Sequence, residues 1–311
     1  MNSDFFKAKI NNIISGTATC GLSTFVRVKK EDGTTAIKKF LVTDELRDAI
    51  TRIIVTCISD KYMDHEIDSS DNIADNKKTL YEIVQTEAYA PFSFLDECTA
   101  DREQYDVISN DTLSGFIFRV NLNDNAFWVY QHVYPMHLVK KSKLHAVLAH
   151  DNTYKLLDRD LIGIESRIDC IILENSIITN NINLLQTTFG FDKYIRAEAR
   201  KTLALIQSLG IVDELDKFVQ LAEKDKLTFS KKLMKAKTSP VLLIEPNELI
   251  KRIQVHPRYK GQIKIEHNKI CIRSQKDATA FVKMLNDDIV RSELTHQEYD
   301  SSSKQILAPL N

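Results

Sequence analysis

The apolar residues of this chain change their period along its length, and that change constrains the fold more than any single motif. Through the first half they alternate, as a half-buried strand requires, because successive side chains point to opposite faces. Phe25 to Lys30, Glu31-Asp32-Gly33-Thr34 and Ala36 to Val42 read as a hairpin, with Asp-Gly supplying the positive φ angles of a tight turn. Phe116, Phe118, Val120 and Leu122 alternate in the same way, Asn123-Asp124-Asn125 turns, and Ala126 to Tyr134 returns. One helix interrupts the strands. Thr43 is expected to cap it, Asp44 and Glu45 fill its first turn, and Leu46, Ile50, Ile53, Ile54 and Cys57 make its apolar stripe.

Leu161 to Arg167 and Asp169 to Glu174 still read as strands, with a turn at Glu174-Asn175. Beyond them the period becomes helical. Ile195, Ala199, Leu203, Ile206 and Leu209 form one stripe that Gly210 stops; Leu215, Phe218, Val219 and Ala222 form another, with Asp213 as the expected cap. Asn247 is expected to cap a short helix that ends before Pro257. Ile263 to Arg273 reads as a hairpin turning at His267-Asn268, a register that pairs Ile265 with Ile270, Ile263 with Ile272, and Glu266 with Lys269. Ser274 and Asp277 open a last helix as a capping box, with Ala278, Phe281, Val282, Leu285 and Ile289 as its buried stripe. Disorder is expected after Ser301.

The expected fold class is therefore α+β. A β-rich N-terminal domain over residues 1–150 carries an acidic insertion at 60–111, and Asp64 to Asn76 within it is expected to be a mobile loop. The basic, then polar, stretch Lys140 to Asn152 marks the boundary, and a mixed, more helical domain over 151–311 follows.

The chain excludes several chemistries. There is no glycine-rich phosphate loop and no G-x-S-x-G elbow, and only eight glycines occur, scattered. Five cysteines (Cys20, Cys57, Cys98, Cys170, Cys271) lie far apart without a C-x-x-C pair, which argues for a reducing compartment. His132 and His137 flank Pro135, which breaks any helix that would bring them onto one metal, and His145 and His150 are awkwardly spaced for joint ligation. Surface or core positions are expected for them. No signal peptide and no apolar run of about 20 residues is present, so a membrane role requires a partner. The expectation is no catalytic residue, no metal and no cofactor.

Charge is the positive signal. Residues 60–111 hold 14 Asp and Glu against four Lys and Arg, while residues 224–283 hold 15 Lys and Arg against five Asp and Glu. The basic segment opens with Lys224, Lys226, Lys231, Lys232, Lys235 and Lys237; on a helix Lys231 and Lys235 stand one turn apart, as do Lys232 and Lys235. Such a face attracts a phosphate backbone by counterion release, without reading bases. A solvated helix face is the alternative, and the count alone does not decide between them. The acidic segment could dock a basic surface of a second copy or of a partner, or be a solvated loop.

His256-Pro257-Arg258-Tyr259-Lys260-Gly261, the hairpin after it, Leu285-Asn286-Asp287-Asp288 and Ser292-Glu293-Leu294-Thr295 together resemble the C-terminal signature of the KwaB family, the B proteins of the Kiwa anti-phage system. The signature covers roughly residues 245–300, with His296 standing where glycine follows the Ser-Glu-Leu-Thr run. The resemblance implies a cytoplasmic effector that binds DNA without strong sequence preference and blocks phage replication or transcription. It implies recruitment to the inner face of the cytoplasmic membrane by a small integral-membrane partner, the Kiwa A subunit, and self-association as a homodimer or higher homo-oligomer. With it, Lys231, Lys232, Lys235, Lys237, Arg258 and Lys260 become the candidate DNA-binding residues. A metal-dependent nuclease with unrecognised carboxylates, or a scaffold for the membrane complex, are the alternatives. Asp287 and Asp288 adjoin one another on the chain, so a helix would point them apart rather than at one metal.

Overall fold

Strand alternation in the first half becomes a large sheet. The structure is a computed structural model describing residues 7–8, 10–11, 15, 21–63, 65, 67–69, 79–106, 111–122, 125–139, 146–148, 154–156, 160–224, 227–291, 294 and 298–300. The chain divides into two compact units, with the main division between Ile182 and Asn183. The expected boundary at residue 150 and the stretch after Ser301 lie outside the described residues.

In the first unit, β1 (Gly21–Lys29) and β2 (Thr35–Lys39) form the first hairpin, with Gly33 at φ 84° in its turn. Helix α1 (Asp44–Cys57) follows, its first turn capped by the Thr43 side chain, and runs on as a π-helix through Ile58–Tyr62. Then come β3 (Ile67–Ser69), β4 (Leu80–Val84), β5 (Thr112–Leu122) and β6 (Asn125–His132). The short strands β7 (Leu138–Val139), β8 (Ala146–Leu148), β9 (Tyr154–Leu156) and β10 (Leu161–Ile162) lead to β11 (Cys170–Leu173) and β12 (Ser176–Thr179). The eight-stranded sheet runs β2-β1-β5-β6-β11-β12-β4-β3, in which β2, β1, β5, β6, β11, β12 and β4 pair antiparallel. On one face Val26, Phe116, Phe118, Val129, Ile171 and Ile178 pack against Ile50, Ile54 and Ile58. Leu46, expected in that stripe, is 39% exposed.

Most of the acidic stretch belongs to this unit. It supplies β4, and Phe92 packs edge-on against Tyr130 at 5.4 Å from the opposite face. Three of its carboxylates have partners inside the unit: Asp111 lies 2.9 Å from the buried Lys38, Glu97 3.1 Å from Arg102, and Glu82 accepts a 2.7 Å bond from the Ser176 hydroxyl. Within Asp64 to Asn76, the described residues 67–69 are strand, and most of the rest lie outside the described residues. A bulge where β1 meets β5 leaves Ser114 unopposed; its hydroxyl donates to the Arg27 carbonyl, and its carbonyl accepts from the Tyr130 hydroxyl at 3.2 Å. Gly115 beside it lets the Tyr130 ring cross the strand, since a Cβ there would sit 2.5 Å from the ring.

The second unit is mainly helical. Its elements are α2 (Ile182–Thr188), α3 (Phe191–Leu209), β13 (Val212–Asp213), α4 (Leu215–Lys224), α5 (Leu227–Ala236) and a 3-10 turn at Pro240–Leu243. Then come α6 (Pro246–Val255), α7 (Tyr259–Gln262), β14 (Lys264–Glu266), β15 (Lys269–Cys271), α8 (Gln275–Leu285), β16 (Ile289–Arg291) and β17 (Glu298–Asp300). The hairpin has the expected register, Ile265 opposite Ile270 and Glu266 opposite Lys269, with His267 and Asn268 both at positive φ. Phe218, Phe229, Leu233, Phe281, Val282 and Leu285 share one core. At roughly 1.5–3 kcal/mol for each large apolar side chain fully buried, that core supplies the drive that holds short helices together.

Three local expectations are corrected. Asp213 does not cap α4. It lies in β13, which runs parallel to β15, and its carboxylate pairs with Arg273 at 3.1 Å; Glu214 at φ 48° makes the turn into the helix. Asn247 does not cap α6. Pro246 holds the first helical position, so the cap falls one residue earlier than Pro246, and the Glu245 side chain accepts the Glu248 N–H at 3.0 Å. Ile289 is not on α8, which ends at Leu285 because Asp287 turns left-handed at φ 51°.

Candidate nucleic-acid interface

Helix α5 carries three of the six candidate residues, and its sequence contains no Asp or Glu. Phe229, Ser230, Leu233, Met234 and Ala236 are buried, because α5 is packed by α3 on one side and α8 on another. Lys231, Lys232 and Lys235 are only half-buried rather than bare, as long stems covering apolar surface would be. Lys237 is exposed just past the helix end.

The Lys237 ammonium lies 2.8 Å from Glu198 Oε2 on α3, and Lys201 Nζ lies 2.5 Å from Glu198 Oε1. Glu198 is only 6% exposed. Burial alone would raise its carboxyl pKa; the hydrogen bonds from Lys201 and Lys237, with their charges, outweigh that and hold it below the ordinary carboxylate range. Sequence reading missed this group. The i,i+3 spacing of Glu198 and Lys201 is a local signal, but nothing local announces Lys237 39 residues on.

Arg258 and Lys260 come from the second candidate stretch, which forms the one-turn helix α7. Pro257 keeps α6 from continuing, and the His256 ring caps the turn into α7: Nδ1 accepts the N–H of Arg258 at 3.3 Å and of Tyr259 at 3.4 Å. The His256 and Tyr259 rings are 4.3 Å apart, and Tyr259 is 7% exposed. With that tyrosine anchored inward, Arg258 and Lys260 are both exposed. α5 and α7 each pack on α8, so one helix supports both candidate stretches.

The Asn286-Asp287-Asp288 run terminates α8. Asn286 is 8% exposed, and its Nδ2 donates to the Lys232 carbonyl at 3.0 Å and the Val282 carbonyl at 3.1 Å. It therefore fastens the end of α8 to the lysine helix. The N–H groups of Asp287 and Asp288 bond back to Met284 and Lys283, each at 2.9 Å, and Asp288 is 2% exposed while Asp287 is exposed. Among the described residues no three His, Cys, Asp or Glu side chains come together as a metal site. Ser292, Glu293, Thr295 and His296 lie outside the described residues.

The first unit holds a second polar network, centred on Asp169 and Arg167. Asp169, 2% exposed, accepts the His132 N–H at 2.7 Å and the Asn181 amide at 3.0 Å, and pairs with Arg167. Arg167 also donates to the His132 carbonyl at 2.7 Å and pairs with Glu165, whose Oε1 is 2.6 Å from His137 Nε2. Pro135 opens a 3-10 turn here, and the His132 and His137 rings each pack edge-on against Tyr134, at 4.7 and 5.7 Å. The network ties β6 to β11 and to the turn after β6. Burial pushes the Cys98 thiol up to about 12 and raises that of Cys170, so neither is a thiolate nucleophile near neutral pH.

Comparison with known sequences agrees with the signature and extends it. The family described as "Kiwa protein KwaB-like" matches residues 110–295, from the start of β5 to beyond α8. "Kiwa protein KwaB" of Escherichia coli O55:H7 (strain RM12579 / EPEC) is 21% identical over 247 residues, 76% of this chain and 78% of that protein. No solved structure matches.

Proposed function

This chain belongs to the Kiwa protein KwaB-like family, and on that premise we propose that it serves Kiwa anti-phage defence as a DNA-binding effector. The observation that carries the reading is the seat of the lysine helix. Family-signature residue Asn286 grips its backbone, and the helix presents Lys231, Lys232 and Lys235 with no carboxylate of its own. Phosphate is bound by cations held in place, and such contacts carry no base information. The mechanism is stoichiometric: the protein coats duplex DNA and obstructs polymerases. The same reading has the protein work as a homo-oligomer at the inner membrane face, held by the small membrane subunit of the system. No helix among the described residues is long and apolar enough to cross a bilayer, which is compatible with attachment through that partner.

The test is duplex binding across a salt series, with and without magnesium. Affinity should fall steeply with salt, by about 0.9 in the log-log slope per phosphate contact, and vary little with sequence. Lys231→Gln, Lys232→Gln and Lys235→Gln together should weaken binding and flatten the slope, and Arg258→Gln with Lys260→Gln should do so further. Magnesium-dependent release of nucleotides would replace this reading with a nuclease.

A further inference from the structure

We propose that the phosphate-binding surface continues from α5 onto α3, through Lys193, Arg200 and Lys201, with Glu198 as the joint between the two helices. The inference rests on the DNA-binding reading and adds to it a surface of its own.

α3 buries Phe191, Ile195, Glu198, Ala199, Thr202, Leu203 and Ile206. At about 100° per residue, the opposite side carries Lys193, Ala197, Arg200, Lys201 and Ala204, all of them exposed, with the half-buried Arg196 at its edge. The two alanines keep that side low, so cations on either flank can approach one backbone. The carboxylates of the helix do not oppose it: Glu198 is buried, and Asp192 sits half-buried in the first turn. The 19 residues of α3 span about 28 Å at 1.5 Å per residue, or roughly eight base-pair steps at about 3.4 Å each.

Glu198 makes α3 and α5 one surface. Its two carboxylate oxygens hold Lys201 and Lys237, whose side chains are still 58% and 46% exposed. An ammonium has three donors and no acceptor. Lys201 can give one to Glu198 and offer others to a phosphate oxygen. The buried carboxylate thus fixes two ammonium groups, one on α3 and one just past the end of α5, and a pre-placed cation loses less side-chain entropy on binding than a free one.

Salt-dependent binding of a random-sequence duplex is measured for the full-length protein, for Lys193→Gln/Arg200→Gln/Lys201→Gln, and for Lys231→Gln/Lys232→Gln/Lys235→Gln. The α3 variant should bind more weakly and lose about two to three from the log-log slope, at roughly 0.9 per contact. Lys193→Gln/Arg200→Gln leaves the Glu198 pairs intact and covers the case in which the triple variant unfolds; it should lose about two. Unchanged affinity and slope in both α3 variants, with loss in the α5 variant, overturns the inference and leaves the DNA reading standing. Loss in the α3 variants alone also overturns it, since the surface then does not run on from α5. A wild-type protein that shows no salt-dependent duplex binding overturns both.

Discussion

Replacing Lys237 by Glu should damage the fold as well as any DNA surface, and the two effects separate by pH. In the native protein Glu198 is 6% exposed and shares its charge between Lys201 and Lys237. Lys237→Gln removes one cation and leaves the other, which should cost about 1 kcal/mol, discounted because Lys237 is partly solvated. Lys237→Glu brings a second carboxylate to the first. Two like charges about 4 Å apart repel by about 4 kcal/mol at an effective dielectric near 20, and rotation of residue 237 into solvent should reduce the net loss to roughly 2–3 kcal/mol. For a chain of this size about 1 kcal/mol moves Tm by roughly 2–4 °C. The Gln variant should therefore melt about 3 °C below wild type and the Glu variant roughly 5–10 °C below.

The pH dependence comes from linkage. The Glu198 carboxyl is held low in the folded state, so the stability from its ionised form is present above its unfolded pKa of about 4.3. That stability is lost as pH falls through the lower folded value. In the Glu variant, protonating either carboxyl relieves the repulsion, so the gap between the Glu and Gln variants should be widest near neutrality and close as pH approaches about 4. Thermal unfolding recorded by circular dichroism at both pH values reads this directly. A Glu variant as stable as the Gln variant at neutral pH, or a gap that does not change with pH, refutes the pairing. Charge reversal at Lys237 is accordingly a poor probe of DNA binding, and neutral glutamines are the better one.

Two further substitutions test the internal packing of each unit. Gly115→Ala should destabilise by about 3 kcal/mol or more, because its Cβ would meet the fully buried Tyr130 ring at 2.5 Å, and an unchanged melting temperature would falsify the close approach. Asn286→Ala should cost about 1–3 kcal/mol by leaving the Lys232 carbonyl without its 3.0 Å donor. It should also weaken duplex binding although no charge is removed; wild-type affinity in a folded Asn286→Ala protein would show that the fastening does not position the lysines.

The features legible in the sequence were local ones. Asp32-Gly33, His267-Asn268, Thr43 and the Ser274–Asp277 box each act within a few residues, and each stands where its chemistry put it. Pro246 was a local signal too, since proline favours the first helical position, and it fixes the cap at Glu245. The rest depended on partners far along the chain. Asp213 looks like a cap until β15, more than 50 residues later, makes a strand of it. The acidic stretch reads as an insertion because its ties, such as Lys38 to Asp111 and Glu82 to Ser176, span many residues. The lysines of α5 were legible as a cluster, but their half-burial was not, since it comes from α3 and α8.

The signature residues that the structure describes mostly fasten. His256 caps α7, Tyr259 anchors it, Asn286 joins α8 to α5, and Asp288 is buried at the end of α8. Their burial and bonding set where the neighbouring cations stand, while the cations themselves are spread over α5, α7 and the loop between helices. Recognition of a phosphate backbone asks for that arrangement: charge at fixed positions over tens of ångströms, tolerant of which base lies beneath. A surface of this kind can exchange one lysine for another position and keep binding, whereas a helix that loses its fastener moves every charge it carries. On the DNA-binding reading, loss of a joint such as Asn286 should therefore cost more affinity than loss of any one lysine.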